Sequence, residues 1–150
     1  MKKALLRLDN FCSANKIEYM VTGTVALAML GVPSKFIPGD IDIKVFHLKE
    51  EQKEKLKELQ FLSDLDRDNY EGGCYSFIID GVKVNALVDN TESYNEIMSQ
   101  EVKLCISDEY AERHLIGIQL VSFALKDKMN LQRHKDKTYM LDLIAKLSQL

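Results

Sequence analysis

Gly39-Asp40-Ile41-Asp42-Ile43-Lys44-Val45-Phe46 is the stretch on which the fold turns. From Asp40 it alternates acidic and apolar residues until Lys44, and strict alternation marks a strand with one wet and one buried face. Residues two apart on a strand share a face, so Asp40 and Asp42 present two carboxylates side by side. Strands disfavour Asp. Like charges held this close repel, and a divalent cation relieves that repulsion. Hard oxygen donors of this kind suit Mg²⁺, which is commonly held by one or two carboxylates together with substrate phosphates. On spacing alone, the pair could equally be the solvated face of an edge strand.

Upstream, Ile17-Glu18-Tyr19-Met20-Val21-Thr22 is a β-branched and aromatic run that stops at Gly23, where a sharp turn is expected. Thr24 to Leu30 is apolar almost all round and reads as a buried helix, ended by Gly31 and Pro33. A Gly23-Thr24 turn opening a helix offers unpaired backbone N–H groups to a phosphate. Before it, Leu5, Leu8, Phe11 and Cys12 recur at helical spacing and predict a first helix over 3–16. Both prolines fall in the loop Val32 to Gly39, which also carries Lys35. Lys35 is either a solvated lysine or a basic group near a bound nucleotide.

Downstream, Lys49 to Gln60 reads as a charged helix with Leu56 and Leu59 inward. Cys74 to Asp80 and Val82 to Val88 read as two strands joined at Asp80-Gly81, a hairpin signal because both turn positions tolerate positive φ. Gly72-Gly73 before them reads as a turn. Lys103 to Ser107 and Gly117 to Val121 are weaker strand candidates. Ser122 is expected to cap a helix to about His134, and Asp136 a last helix with Met140, Ile144 and Leu147 as its stripe. The order predicts an α/β (α+β) domain, a mixed sheet of about four or five strands flanked by helices with a helical C-terminal end.

Composition narrows the class. At 150 residues the chain has the usual size of one domain, so residues 1–150 are expected to form a single unit. The net charge of -3 argues against a broad polyanion-binding surface but leaves room for a local basic patch. Cys12, Cys74 and Cys105 are odd in number and scattered, which suits free thiols in a reducing compartment better than a disulfide framework or a zinc ribbon. Arg7 and Asp9 interrupt any apolar run behind Met1-Lys2-Lys3, so neither a signal peptide nor a membrane span is predicted, and the expected location is cytoplasmic. His47, His114 and His134 lie too far apart to show a metal spacing, and surface or structural roles are expected for each.

The Gly23-Thr24 turn, the helix behind it and Asp40-Ile41-Asp42 resemble the nucleotidyltransferase superfamily. That signature is a Gly-Gly or Gly-Ser turn, a helix, then Asp-x-Asp on the next strand. The spacing looks most like the branch of antibiotic-modifying nucleotidyltransferases and AbiEii-type toxin enzymes. The similarity runs through the hairpin Asp80 to Val88 and reaches Lys128, Arg133, Lys135, Asp136 and Asp142, so it spans roughly residues 17–145.

The resemblance implies a nucleotidyltransferase-like domain that moves a nucleoside monophosphate from ATP or another NTP to a hydroxyl acceptor, with Mg²⁺ as cofactor. The acceptor could be a small molecule, a protein or an RNA; no membrane partner is implied, and the oligomeric state stays open. It implies metal ligation and catalysis by Asp40 and Asp42, and nucleotide binding by Gly23, Thr24, Lys35 and Lys128. Two departures stand out. Thr24 replaces the second small residue, and Asn85 occupies the place of a third carboxylate. An amide cannot act as a general base near pH 7. Asp89 lies on the same face but about 13 Å along the strand. The alternative is therefore a degenerate, catalytically weak or inactive member that binds nucleotide or a protein partner. A third is an unrelated small interaction domain. For Lys126, Lys128, Arg133, Lys135 and Lys137, an exposed helix face is the reading to set against a phosphate site.

Overall fold

The computed structural model describes residues 1–34, 37–65, 73–88, 96, 99–131 and 133–149. Lys35 and Asp89 lie outside the described residues, as does Gly72.

Alternation and periodicity dictate most elements. In chain order they are α1 (Lys2–Ala14), β1 (Glu18–Thr22), α2 (Gly23–Met29), β2 (Asp40–Phe46), α3 (Glu50–Lys57), β3 (Gln60–Leu65), β4 (Cys74–Ile79), β5 (Val82–Val88), β6 (Glu101–Ser107), β7 (Arg113–Gln119), α4 (Val121–Leu131) and α5 (His134–Leu147). The strands form one mixed sheet of seven, ordered β3-β4-β5-β2-β1-β7-β6. β1 runs antiparallel to β2 but parallel to β7, and β2 runs parallel to β5. The fold class is as the sequence predicts, with more strands than the four or five expected.

Each central strand divides its residues between two faces. Ile41, Ile43 and Val45 of β2, Val21 of β1, Val84 and Ala86 of β5, Phe77 of β4 and Ile116 and Ile118 of β7 share one face and are all buried. Leu5, Leu8 and Cys12 of α1 and Leu56 of α3 pack into that same core. Fully burying side chains of this size contributes about 1.5–3 kcal/mol each, so this layer holds the helices on the sheet. The polar residues of β2 are left on the opposite face. There Ser76, Asn85, Asp42 and Thr22 sit on successive strands in one register row, and Val21 paired with Ile118 brings Gln119 beside the end of that row.

Asp80 and Gly81 have φ of 51° and 77°, the two left-handed positions that the β4–β5 hairpin requires. At the C-terminal end the helix boundaries differ from expectation. Asp136 is not the cap of α5; Arg133 is, and Asp136 sits three residues in and reaches back to the Arg133 N–H at 3.3 Å. The buried side of α5 is Asp136, Tyr139 and Leu143, packed with Ala124 and Leu27, while Ile144 and Leu147 face outward. Of the expected stripe, Met140 packs at the edge of this cluster, but Ile144 and Leu147 do not, because the buried side runs through Asp136, Tyr139 and Leu143 instead. Among the described residues no helix is long and apolar enough to cross a membrane.

Candidate functional site

The polar end of β2 is built by register. Thr22 stands opposite Asp42 on β1 and Asn85 stands opposite it on β5, so Asp42 is flanked on both sides. Asp40 pairs in the same way with Lys83, an exposed lysine that the sequence reading did not single out. Ile41 between them is fully buried, which turns both carboxylates to the other face; Asp40 is exposed and Asp42 half-buried.

Gly23 ends β1 and begins α2 with φ of +67°, a left-handed conformation that glycine takes without strain. A Cβ there would come within 3.2 Å of Asp42 Oδ2, so the missing side chain also keeps that oxygen clear. α2 is only seven residues long, and its dipole is correspondingly short. The polar atoms beside it matter more. The Lys128 ammonium, from α4, donates to Thr24 Oγ1 at 3.0 Å across 104 positions of sequence.

Lys128 is buried, not on an exposed helix face. It lies over the Tyr139 ring at 4.6 Å and 3.7 Å from Asp136 Oδ1. Burial lowers its pKa, with Arg133 and Lys135 adding to the effect, while Asp136 and Asp42 pull the other way. Asp136 is 1% exposed and accepts from Arg133 Nε at 2.7 Å and Nη2 at 3.3 Å. Its burial raises the carboxyl pKa, but Arg133 and Lys128 outweigh that and hold it below its ordinary value. A cation is thus held inside the protein, with its head toward Thr24 and within the field of Asp42.

Asn85 lies next to Asp42 on the neighbouring strand, with its amide nitrogen turned toward it. Its Nδ2 donates to Asp42 Oδ1 at 2.9 Å, and its Oδ1 accepts from Ser76 Oγ at 2.7 Å. The orientation follows from chemistry: a carboxylate only accepts, while a hydroxyl can donate. Reversing the amide would set two oxygens against each other at hydrogen-bond distance. The carbonyl oxygen that an asparagine could lend to a metal is therefore directed at Ser76.

Of the residues singled out in the sequence, Gly23, Thr24, Asp42, Asn85 and Lys128 come together, with Asp40 one turn of the pleat away. Ser76 and Lys83 were missed, and only strand register reveals them. Gln119 was missed too. It is buried and donates to Asp127 Oδ2 at 3.0 Å beside the same row. The donor set at Asp40 and Asp42 is two hard carboxylates, with Asp42 Oδ2 not engaged by Asn85. That set fits a divalent cation of the Mg²⁺ type.

No protein-family model and no curated protein matches the chain. Solved structures do. A Thermotoga maritima protein inferred to be a nucleotidyltransferase superposes with a TM-score of 0.59 at 18% identity, over 96% of this chain and 92% of that one. An antigenic nucleotidyltransferase-like protein from Paracoccidioides brasiliensis superposes with a TM-score of 0.53 at 14% identity, over 91% of this chain and 70% of that one. The chain has a nucleotidyltransferase-like fold.

Proposed function

We propose that this chain binds Mg²⁺ and a nucleoside triphosphate together at the Asp40–Asp42 corner and supports transfer of a nucleoside monophosphate to a hydroxyl acceptor. The observation that carries the reading is the meeting of two opposite features at one place. Two same-face aspartates stand on β2, and the buried Lys128, held by Asp136 and Tyr139, aims at Thr24 beside them. Asp40 and Asp42 would hold the ion, which would neutralise charge on the phosphates. Lys128 and the Thr24 hydroxyl would receive phosphate oxygens, and Gly23 leaves the approach open. Transfer would form a bond between the acceptor oxygen and the α-phosphorus, break the bond from the α-phosphorus to the bridging oxygen, and release pyrophosphate, with the hydroxyl proton passing to solvent water. The structural likeness supports the fold, and the activity rests on the residues.

A second reading, binding with little or no turnover, is favoured by one specific observation: the amide of Asn85 donates to Asp42 where a third carboxylate would accept a proton. Thermal unfolding with each NTP, with and without Mg²⁺, tests the proposal. Ligand at about 100 times its dissociation constant stabilises by about 2.7 kcal/mol, or roughly 5–10 °C in Tm for a chain of this size. That shift should need metal and nucleotide together and should vanish in Asp42→Ala. A full shift in the variant would remove Asp42 from the site. Pyrophosphate release with candidate acceptors then separates the two readings.

A further inference from the structure

A second cluster lies apart from this corner. It comprises Asp9 of α1, His114 at the start of β7, and Asp108 and Glu112 of the β6–β7 turn. His114 shares the face of Ile116 and Ile118, opposite that of Gln119, and lies five positions along the strand from Gln119, roughly 16 Å. Its ring is 7% exposed. Nδ1 lies 2.8 Å from Asp9 Oδ2, and Nε2 lies 3.2 Å from Asp108 Oδ2. The Tyr19 hydroxyl donates to the other Asp9 oxygen at 2.7 Å.

Carboxylates accept and do not donate near neutral pH, so the shorter contact assigns the proton of a neutral ring to Nδ1. Nε2 then directs a lone pair at the lone pairs of Asp108, and an electrophile must sit between them: a proton or a metal ion. Three observations favour the metal. Glu112 supplies a third donor, because ligand atoms of Asp108, Glu112 and His114 all lie within 4.8 Å of one another. The Glu112 carboxylate has no other hydrogen bond or ion pair among the described residues. Asp9, Asp108 and Glu112 bring three negative charges to a single imidazole, so a proton leaves two uncompensated and a divalent ion leaves one. Finally, Asp108 Oδ1 is occupied by the N–H groups of Tyr110 at 2.8 Å and Glu112 at 2.9 Å, which aims Oδ2 at the ring. The 3.2 Å gap is just under the roughly 3.3–3.6 Å edge of a tetrahedron with bonds of about 2.0–2.2 Å, so a small outward movement of the Asp108 side chain admits the ion.

We propose that His114 Nε2, Asp108 and Glu112 form a binding site for Zn²⁺, with water in the fourth position and Asp9 orienting the histidine from behind. An imidazole with two carboxylates selects zinc and its neighbours over Mg²⁺, and a carboxylate on the far ring nitrogen is the usual support for such a ligand. The ion would staple α1 to the β6–β7 turn and would be independent of nucleotide.

The test is calorimetric titration of the metal-stripped full chain with Zn²⁺ in excess Mg²⁺, together with Tm and the absorption spectrum of the Co²⁺ form. One ion per chain is expected, with a raised Tm and no thiolate-to-metal charge transfer. Glu112→Ala removes an exposed side chain that touches neither ring nitrogen. It should leave the metal-free Tm unchanged and weaken zinc at least ~10-fold; Asp9→Asn should weaken it ~10–100-fold. Unchanged affinity in Glu112→Ala would overturn the site, as would a thiolate signature from Cys105. So would the absence of micromolar zinc binding, which would leave a proton as the only occupant.

Discussion

Asn85 carries the most information per atom. Its amide gives Asp42 the hydrogen bond that relieves a half-buried carboxylate, and Ser76 fixes the amide in turn. Asn85→Asp keeps the volume but places a carboxylate oxygen where the amide nitrogen stands, 2.9 Å from Asp42 Oδ1. Without metal the variant should be less stable by on the order of 1–3 kcal/mol, the cost of an unsatisfied buried polar contact. With Mg²⁺ the deficit should shrink, and Mg²⁺ affinity should rise because a third anionic donor faces the ion. If transfer activity is limited by the missing proton acceptor, it should rise by ~10²–10⁴. Denaturant unfolding with and without Mg²⁺ reads the first effect, and pyrophosphate release reads the second. Mg²⁺ affinity equal to the parent's would place residue 85 outside the metal site. The Cys12 thiol, by contrast, is inert: burial and then Asp9 push its pKa up to about 12, far from a reactive thiolate.

At the scale of elements, α4 and α5 serve the site through one ionic knot. Asp136 joins Arg133 and Lys128, and Lys128 reaches Thr24 on α2. Asp136→Asn should cost about 2 kcal/mol, since a buried, hydrogen-bonded charge is lost while Arg133, which is partly exposed, is screened by water. The sign with pH follows from the depressed carboxyl pKa. A folded pKa below the unfolded one contributes stability that is complete above the ordinary carboxyl range, near pH 4. It is lost as pH falls through the lower, folded value. Unfolding free energies from pH 7 down to pH 2 should therefore converge for parent and variant in acid; a constant gap would mean that the knot acts by packing alone. This knot also marks where sequence reading stopped short. β2 could be bounded to the residue because Asp40-Ile41-Asp42-Ile43 alternates without a break. The β4–β5 hairpin could be read because Asp80-Gly81 has a turn chemistry of its own. β3 is not legible in the sequence: the helix reading runs to Gln60 and leaves Phe61 to Leu65 unassigned, since an edge strand such as Gln60-Phe61-Leu62-Ser63-Asp64-Leu65 carries polar residues and pairs with β4 across an irregular register. Lys128 to Thr24, and Asp9 to His114 at 105 positions, are contacts that no local spacing encodes.

On the whole molecule, the sheet separates two jobs. One face buries Ile41, Ile43, Val84, Phe77 and Ile118 beneath α1 and α3, and the other carries the polar row from Ser76 to Thr22. The same strand, β2, supplies both, so its alternation fixes the core and the candidate site at once. The likeness to nucleotidyltransferase-like structures extends over nearly the whole chain at 18% identity, so it speaks for the fold and not for individual side chains. Function therefore depends on whether the few polar residues at the β2 end act together. The most direct measurement is anomalous diffraction from crystals of the chain grown with Mn²⁺, in place of Mg²⁺, and a non-hydrolysable NTP. The account predicts a manganese peak about 2.0–2.3 Å from carboxylate oxygens of Asp40 and Asp42, with phosphates turned to Thr24 and Lys128. Nucleotide-bound manganese away from both aspartates would contradict it, and so would manganese found solely at Asp108, Glu112 and His114.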